Sequence, residues 1–389
     1  MKRTKRETTA ARKLRDLRAA LAADVPGRLD KLRDELDARR LDAMLVTSAP
    51  NVHYLSGFTG DESALLVGTR AGTRGRTGGV LVTDARFEEE AAPSAPNAKV
   101  VIRKGPLIKE CVKQARKRGW RRLGFELTGL LAVDRDDLAR EARAVRAKRV
   151  RLKGIRGLVE ALRQLKSAAE VGAIRRAVRL AEAAGRTARG YFRAGRSELD
   201  VARRVARRME DLGAAGSSFP TIAAFDARSS LPHAKPTDAV ARAKSFLLLD
   251  WGARADFYCS DLTRVFAQNS IPAWLRRAHS VVHEAARAAL ERAGPGVRAR
   301  DVDGAAREVI RKAGWGKEFR HGLGHGLGLE VHEAPRLGPG SPDVLWPGMV
   351  VTIEPGVYFP GRGGVRIEDD VLVTDDGAER LSGLPRCLR

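Results

Sequence analysis

Asp250, Asp261, His325, Glu354 and Glu368 are the side chains of this sequence best suited to shared chemistry. Each lies in a glycine-punctuated, strand-like stretch: Asp250 ends the apolar run Phe246 to Leu249, and Glu354 follows Val350 to Ile353. Four carboxylates gathered at a buried point repel one another and take up protons unless cations compensate them. Two divalent ions would nearly balance the charge. An oxygen-rich set with one imidazole suits manganese best, with cobalt, iron or zinc also compatible. Such ions lower the pKa of bound water and polarise a carbonyl, which is hydrolytic chemistry.

A histidine cluster accompanies the acids. His321, His325 and His332 fall within the glycine-rich segment 320–333, and His233 stands upstream in Pro232-His233-Ala234. The i, i+4 spacing of His321 and His325 is that of a zinc-binding helix, but the glycines between them make a helix costly and favour extended or looped backbone. Several histidines so close favour a functional cluster over a satisfied structural residue. His233, His321 and His332 are candidates to hold a substrate carbonyl, and Glu354 to shuttle a proton. Structural pairing is the competing account, in which Arg264 and Arg366 neutralise two of the acids as salt bridges.

The elements that must position these residues form two groups. After residues 1–24, a basic tail, residues 25–155 alternate helices and strands in the manner of a small α/β domain. Its expected strands are Leu41–Thr47, Ser63–Gly68, Gly79–Thr83, Lys99–Arg103 and Arg122–Phe125, and its expected helices Arg28–Arg40, Lys109–Arg118 and Leu131–Ala142. Residues 156–389 form the second domain. It starts with a capping box, Ser167 to Glu170. Ile174, Ala177, Ala181 and Ala184 then share one helical face, and Val201, Val205, Met209 and Leu212 another, closed by Gly213. A second pair of helices spans Pro272 to about Ala293 and Asp301–Ala313. Helix, helix and acid-bearing strands therefore occur twice. The acids sit 11 and 14 residues apart, each pair expected across one strand, a turn and the return strand.

Composition removes several classes. The chain is 43% hydrophobic and 31% charged, as soluble globular proteins are, and it has no run of about 20 apolar residues that would span a membrane. No signal-peptide core follows the basic start. Cys111, Cys259 and Cys387 are too dispersed for a disulfide framework, which favours a reducing cytoplasm. The net charge of +24 raises nucleic acid as a partner. No nucleic-acid fingerprint accompanies the basic runs Arg116–Arg122 and Arg143–Arg156, so a general arginine bias explains the charge better.

Taken together, these residues resemble the creatinase, prolidase and methionine aminopeptidase family of pita-bread peptidases. The spacing of Asp250, Asp261, His325, Glu354 and Glu368 matches the family's five metal ligands. His233, seventeen residues before the first, matches its upstream histidine. The resemblance implies that Asp250 binds one metal, His325 and Glu354 the other, and that Asp261 and Glu368 bridge them. It also implies His321 and His332 in the substrate pocket and Arg366 as support beside Glu368. The segment Asn51–Gly60 resembles the amino-terminal domain of the Xaa-Pro dipeptidases and aminopeptidases P. The implied fold is a small α/β domain followed by a pita-bread domain with a curved, mainly antiparallel sheet and pseudo-twofold halves. The implied activity is hydrolysis of an Xaa-Pro bond, in dipeptides or at the N-terminus of peptides with proline second, by a hydroxide held between two metals, in a homodimer. The rival is a catalytically idle scaffold binding nucleic acid or acidic partners through its basic surface. Phe225 and Phe257 depart from glycines common in relatives and are expected near the cleft.

Overall fold

The computed structural model describes residues 9–70, 79–145, 149–268 and 271–386, and contact density divides the chain into residues 1–163 and 164–389.

The first unit opens with two helices, α1 (Thr9–Ala23) and α2 (Val25–Ala38). Most of the segment expected as a tail is thus helical, although α1 buries no side chain. Leu29, Leu32 and Leu36 form the buried stripe of α2. The order then runs β1 (Ala43–Val46), α3 (Ala49–Ser56), β2 (Ala64–Gly68), β3 (Gly79–Thr83), α4 (Glu88–Ser94) and β4 (Ala98–Ile102). It ends with α5 (Leu107–Lys117), β5 (Arg122–Glu126), α6 (Ala132–Arg143), β6 (Arg151–Ile155) and α7 (Leu158–Arg163). The six strands make one mixed sheet in the order β4-β3-β2-β1-β5-β6. Its strands are short and wholly apolar at β1 and β2, as expected where helices cover both faces of a sheet.

The expected boundary at residue 155 lies eight residues before the observed one. Asn51 explains the difference: its amide donates to Glu160 Oε1 at 3.0 Å and accepts from Arg163 Nη1 at 2.8 Å, so α7 is tied to α3. Tyr54 adds a bond to the Leu162 carbonyl at 3.2 Å. Composition carries no sign of such long-range pairing. The helix α3 also goes unforeseen; buried Glu126 accepts from the amides of Thr47 and Ser48 at its start, at 2.7 and 2.8 Å.

The second unit shows the repeated order. Its first half comprises α8 (Ala168–Tyr191), α9 (Glu198–Asp211), β7 (Gly216–Ser217), β8 (Ile222–Phe225), β9 (Phe246–Trp251), β10 (Ala253–Ala255), β11 (Tyr258–Cys259) and β12 (Leu262–Ala267). Both bonds of the Ser167–Glu170 capping box are present at the start of α8, an arrangement that contributes about 1 kcal/mol. Gly213, with φ of +96°, comes immediately after the C-cap residue of α9, Leu212. The second half comprises α10 (Ala273–Arg292), α11 (Ala299–Lys312), β13 (Gly324–Gly326), β14 (Glu333–Leu337), β15 (Val350–Ile353), β16 (Gly356–Phe359), β17 (Gly363–Arg366), β18 (Asp369–Val373) and β19 (Ala378–Arg380). Leu275, Ala278, Val282, Ala285 and Ala289 are all buried along α10.

The strand pairs in this unit are antiparallel throughout, in the orders β12-β9-β8, β11-β10-β7, β14-β13-β15-β18-β19 and β16-β17. The path between paired acids is longer than one hairpin. The hairpin β10–β11 is inserted between β9 and β12, and β16–β17 between β15 and β18. Among the described residues a single isolated bridge, Thr263 to Glu368, joins the strands of the two halves.

The glycines of the segment 320–333 have a packing cause. A methyl group on Gly324 would lie 2.1 Å from the Thr352 carbonyl oxygen of the neighbouring strand. Gly324→Ala should therefore cost roughly 1–3 kcal/mol in urea denaturation. Gly340→Ala, where the added methyl meets nothing within 4 Å, should stay within about 0.5 kcal/mol of the parent. Equal stabilities would refute the close approach of β13 to β15.

Candidate metal centre

The hydrogen-bond register of the sheets determines which acids meet. Asp250 on β9 is the antiparallel partner of Thr263 on β12, Asp261 lies immediately before β12, and Glu368 bridges Thr263 from the other half. His325 stands on β13, and Glu354 follows β15, whose Val351 pairs with Gly326. Donor atoms of Asp261, His325 and Glu368 lie within 4.8 Å of one another. His325 Nε2 is 3.8 Å from Asp261 and 3.5 Å from Glu354. Asp250 joins them in a cavity of about 310 Å³ that also exposes His233, His321, His332 and Arg366. All nine residues singled out in the sequence therefore face one space.

Electrostatics inside this space are unfavourable for the bare protein. Burial, then repulsion from neighbouring carboxylates, raises Asp261 and Glu354 well above the carboxylate range. Burial and then Asp250 raise Glu368 to about 8. Asp250 is also raised by burial, although Arg366 opposes the shift. Burial lowers His325 to about 4, which leaves its imidazole neutral at pH 7. A cation requires that form. His325 Nδ1 lies 3.1 Å from the Gly326 carbonyl, so Nε2 is directed at Asp261 and Glu354. Among the described residues, Asp250 Oδ1 is buried and has no hydrogen-bond partner. A crowded, protonation-prone set of oxygens with one neutral imidazole fits divalent cations.

Neighbouring residues brace the cluster, and sequence reasoning missed several of them. Arg366 donates to Asp250 Oδ2 at 2.6 Å, Thr263 Oγ1 at 3.0 Å and the Tyr358 hydroxyl at 2.9 Å. It therefore pairs with Asp250 as the structural account foresaw, while Arg264 does not pair with a cluster acid. Thr263 passes a bond to Glu368 Oε2 at 2.6 Å. Tyr358 is 3.0 Å from His321 Nε2, whose other ring nitrogen faces the Gly322 carbonyl at 2.7 Å. Burial, then the charge of Arg366, lowers His321 to about 4, so Tyr358 donates to a neutral ring. The backbone amide of Asp261 donates to buried Asp370 at 3.0 Å. Tyr358 could have been suspected from its place on a short apolar strand that opens on a glycine, Gly356–Phe359. Thr263 and Asp370 carry no local signal, since the register alone brings them in.

Arg264 does different work. Its guanidinium donates to the carbonyls of Thr263 at 2.9 Å, Glu368 at 2.6 Å, Leu384 at 2.9 Å and Pro385 at 3.1 Å, and to Asp369 at 2.6 Å. Glu368 is thus fixed through its backbone as well as its side chain. Two expectations need correction. Phe225 packs on Phe192 in the core with centroids 5.3 Å apart, and Phe257 occupies an exposed turn with φ of +72°, so neither lines the cavity. Cys259 ends β11 with its thiol 3.7 Å from the Leu329 carbonyl and is outside the cavity, because the strand stops before Asp261. The expected helix-free backbone holds for both His321 and His325.

Residues 172–375 match metallopeptidase family M24, and residues 28–165 match the creatinase/prolidase N-terminal domain. The chain belongs to metallopeptidase family M24. It is 34% identical over 370 residues to an Xaa-Pro dipeptidase of Pyrococcus furiosus, covering 92% of this chain and 98% of the relative. An Xaa-Pro dipeptidase structure from Bacillus anthracis superposes with a TM-score of 0.88 at 34% identity, covering 94% and 99% of the two chains. An X-Pro aminopeptidase structure from Thermotoga maritima gives a TM-score of 0.82 at 32% identity, covering 90% and 97%. The pita-bread fold expected for an M24 metallopeptidase is thereby established for this chain.

The raised carboxyl pKa values give this M24 protein a pH signature. Between the ordinary carboxylate range and about 8, the folded metal-free protein holds protons that the unfolded chain releases, so its stability falls as pH rises through that window. Cations displace those protons. The gain in Tm on replacing a chelator with a divalent ion should therefore be larger at pH 8 than at pH 5.5. A gain that is flat or shrinks with pH would refute proton–cation competition in the cluster.

Proposed function

We propose that this chain hydrolyses the peptide bond before proline, in dipeptides or at the N-terminus of short peptides. Asp250, Asp261, His325, Glu354 and Glu368 would hold two divalent ions, with manganese the ion of choice. The observation that carries this reading is the donor convergence of Asp261, His325 and Glu368 inside a cavity also lined by Phe219, Pro220, Ile222 and Val331. A pyrrolidine ring is rigid and apolar and suits such a lining. The relatives named as Xaa-Pro dipeptidases and X-Pro aminopeptidase support the same substrate class.

When bound, divalent ions make a water acidic enough to attack at neutral pH and draw charge from a carbonyl oxygen. The chain's own residues complete the reaction. Glu354, whose carboxylate lines the cavity beside His325, would take the proton of the attacking water and return it to the leaving proline nitrogen. His233 and His332 flank the cavity and hold the scissile carbonyl, while His321, held neutral and bonded to Tyr358, orients the substrate backbone. Arg366 favours the ionised form of Asp250, to which it donates, and holds Tyr358 in place. Burial of the cluster excludes bulk water from the bond under attack.

Metal-stripped protein reloaded with manganese should cleave an alanyl-proline dipeptide and an alanyl-prolyl-alanine tripeptide at measurable rates. The ratio of the two rates assigns dipeptidase or aminopeptidase character. Glu354→Gln should lower kcat/KM by roughly 10²–10⁴-fold. Absence of turnover of both peptides with manganese, cobalt, iron and zinc in turn would overturn the reading.

A further inference from the structure

The two basic runs of the sequence take no part in the site above, yet the first unit brings them together. A cavity of about 810 Å³ opens where the last turn of α6 meets the starts of β5 and β6. Arg121, Arg122, Arg143, Arg149 and Arg151 line it, drawn from runs more than twenty residues apart in sequence. Its floor is apolar, formed by Ala142, Val150 and Leu152.

All five arginines are exposed, so solvent screens part of their mutual repulsion without removing it. Arg122 and Arg151 are direct partners on the parallel strands β5 and β6, and like charges placed opposite each other destabilise a sheet. Asp42 compensates Arg122: it accepts from Nε at 3.0 Å and Nη2 at 2.6 Å, and from the amides of Arg121 and Arg122 at 2.7 Å each. Arg122 is thereby held in a fixed orientation. Arg143, Arg149 and Arg151 form no ion pair with a described residue. A cation in the last turn of α6 complements the helix dipole, which accounts for Arg143. Charge on the edge strand β6 discourages sheet extension, which accounts for Arg151. Neither reason explains why these side chains and Arg149 border one concave space with an apolar floor.

We propose that this cavity binds a small molecule carrying at least two adjacent phosphoryl groups. Guanidinium forks match phosphate oxygens in pairs, and several around one cavity can grip neighbouring phosphoryl groups together. The volume falls in the range of small-molecule sites. No aromatic side chain is among the lining residues to stack a base, and the arginines surround a compact space instead of tracing a long stripe. Both features favour a small ligand over a polynucleotide.

Titration calorimetry of the full chain with tripolyphosphate tests this site independently of the peptidase reading. One-to-one saturable binding is expected. The exposed pair Arg143→Glu/Arg151→Glu should weaken it at least ~10-fold, and Arg149→Gln should weaken it in the same direction should the double variant not fold. The pair Arg203→Glu/Arg207→Glu on α9 carries the same change in charge and should leave binding intact. No saturable heat, or equal weakening by the α6–β6 and α9 pairs, would overturn the proposal. So would tight, steeply salt-dependent binding of a short single-stranded oligonucleotide by a protein that ignores tripolyphosphate.

Discussion

Repulsion among Asp250, Asp261, Glu354 and Glu368 is the constraint around which the second unit is arranged. Burial alone would keep such groups protonated or apart, because an isolated ionised carboxylate in a low-dielectric site is among the most costly placements a fold can make. Arg366 offsets part of that cost at Asp250, and Thr263, Asp370 and the backbone grip of Arg264 limit how far the acids can retreat from one another. What results is a fold that tolerates protons at the cluster but is completed by cations. The antiparallel pairing of β9 with β12 and of β15 with β18 supplies the rigidity this needs.

The same requirement gives the glycines their places. Acids carried on separate strands converge only if the strands lie unusually close, and Gly324 and Gly252 each leave no room for a methyl group against a neighbouring carbonyl. A glycine-rich stretch that would be a poor helix and a weak isolated strand thereby supplies β13, an inner strand held between β14 and β15. Propensity is overruled by packing, and the histidines of that stretch are presented from a backbone with almost no lateral freedom.

Much of this was legible in the residues. Long helices announced themselves through apolar stripes and caps, as in the Ser167–Glu170 box and the Leu275 to Ala289 face, because those signals are local. Nine of the side chains that line the cavity were legible from type and spacing combined with the family resemblance. What escaped were features set by pairing at long range: the inserted hairpins β10–β11 and β16–β17, the attachment of α7 to Asn51 and Tyr54, and the supporting roles of Thr263, Asp370 and Tyr358. Strands of two to four residues carry too little periodicity to be recognised alone. Phe225 and Phe257 were misplaced for a related reason, since nearness in sequence to a cluster residue says little about which side of a sheet a side chain occupies.

The bridge between Thr263 and Glu368 has a mechanical meaning. It lies at the seam between the two repeated halves, and the acids beside it come from both sides, Asp261 from one and Glu368 from the other. An ion held by that pair would work as a rivet across the seam. Parting of the halves and escape of the ion would then be one event, and amides flanking the seam would exchange with solvent at the pace of ion loss.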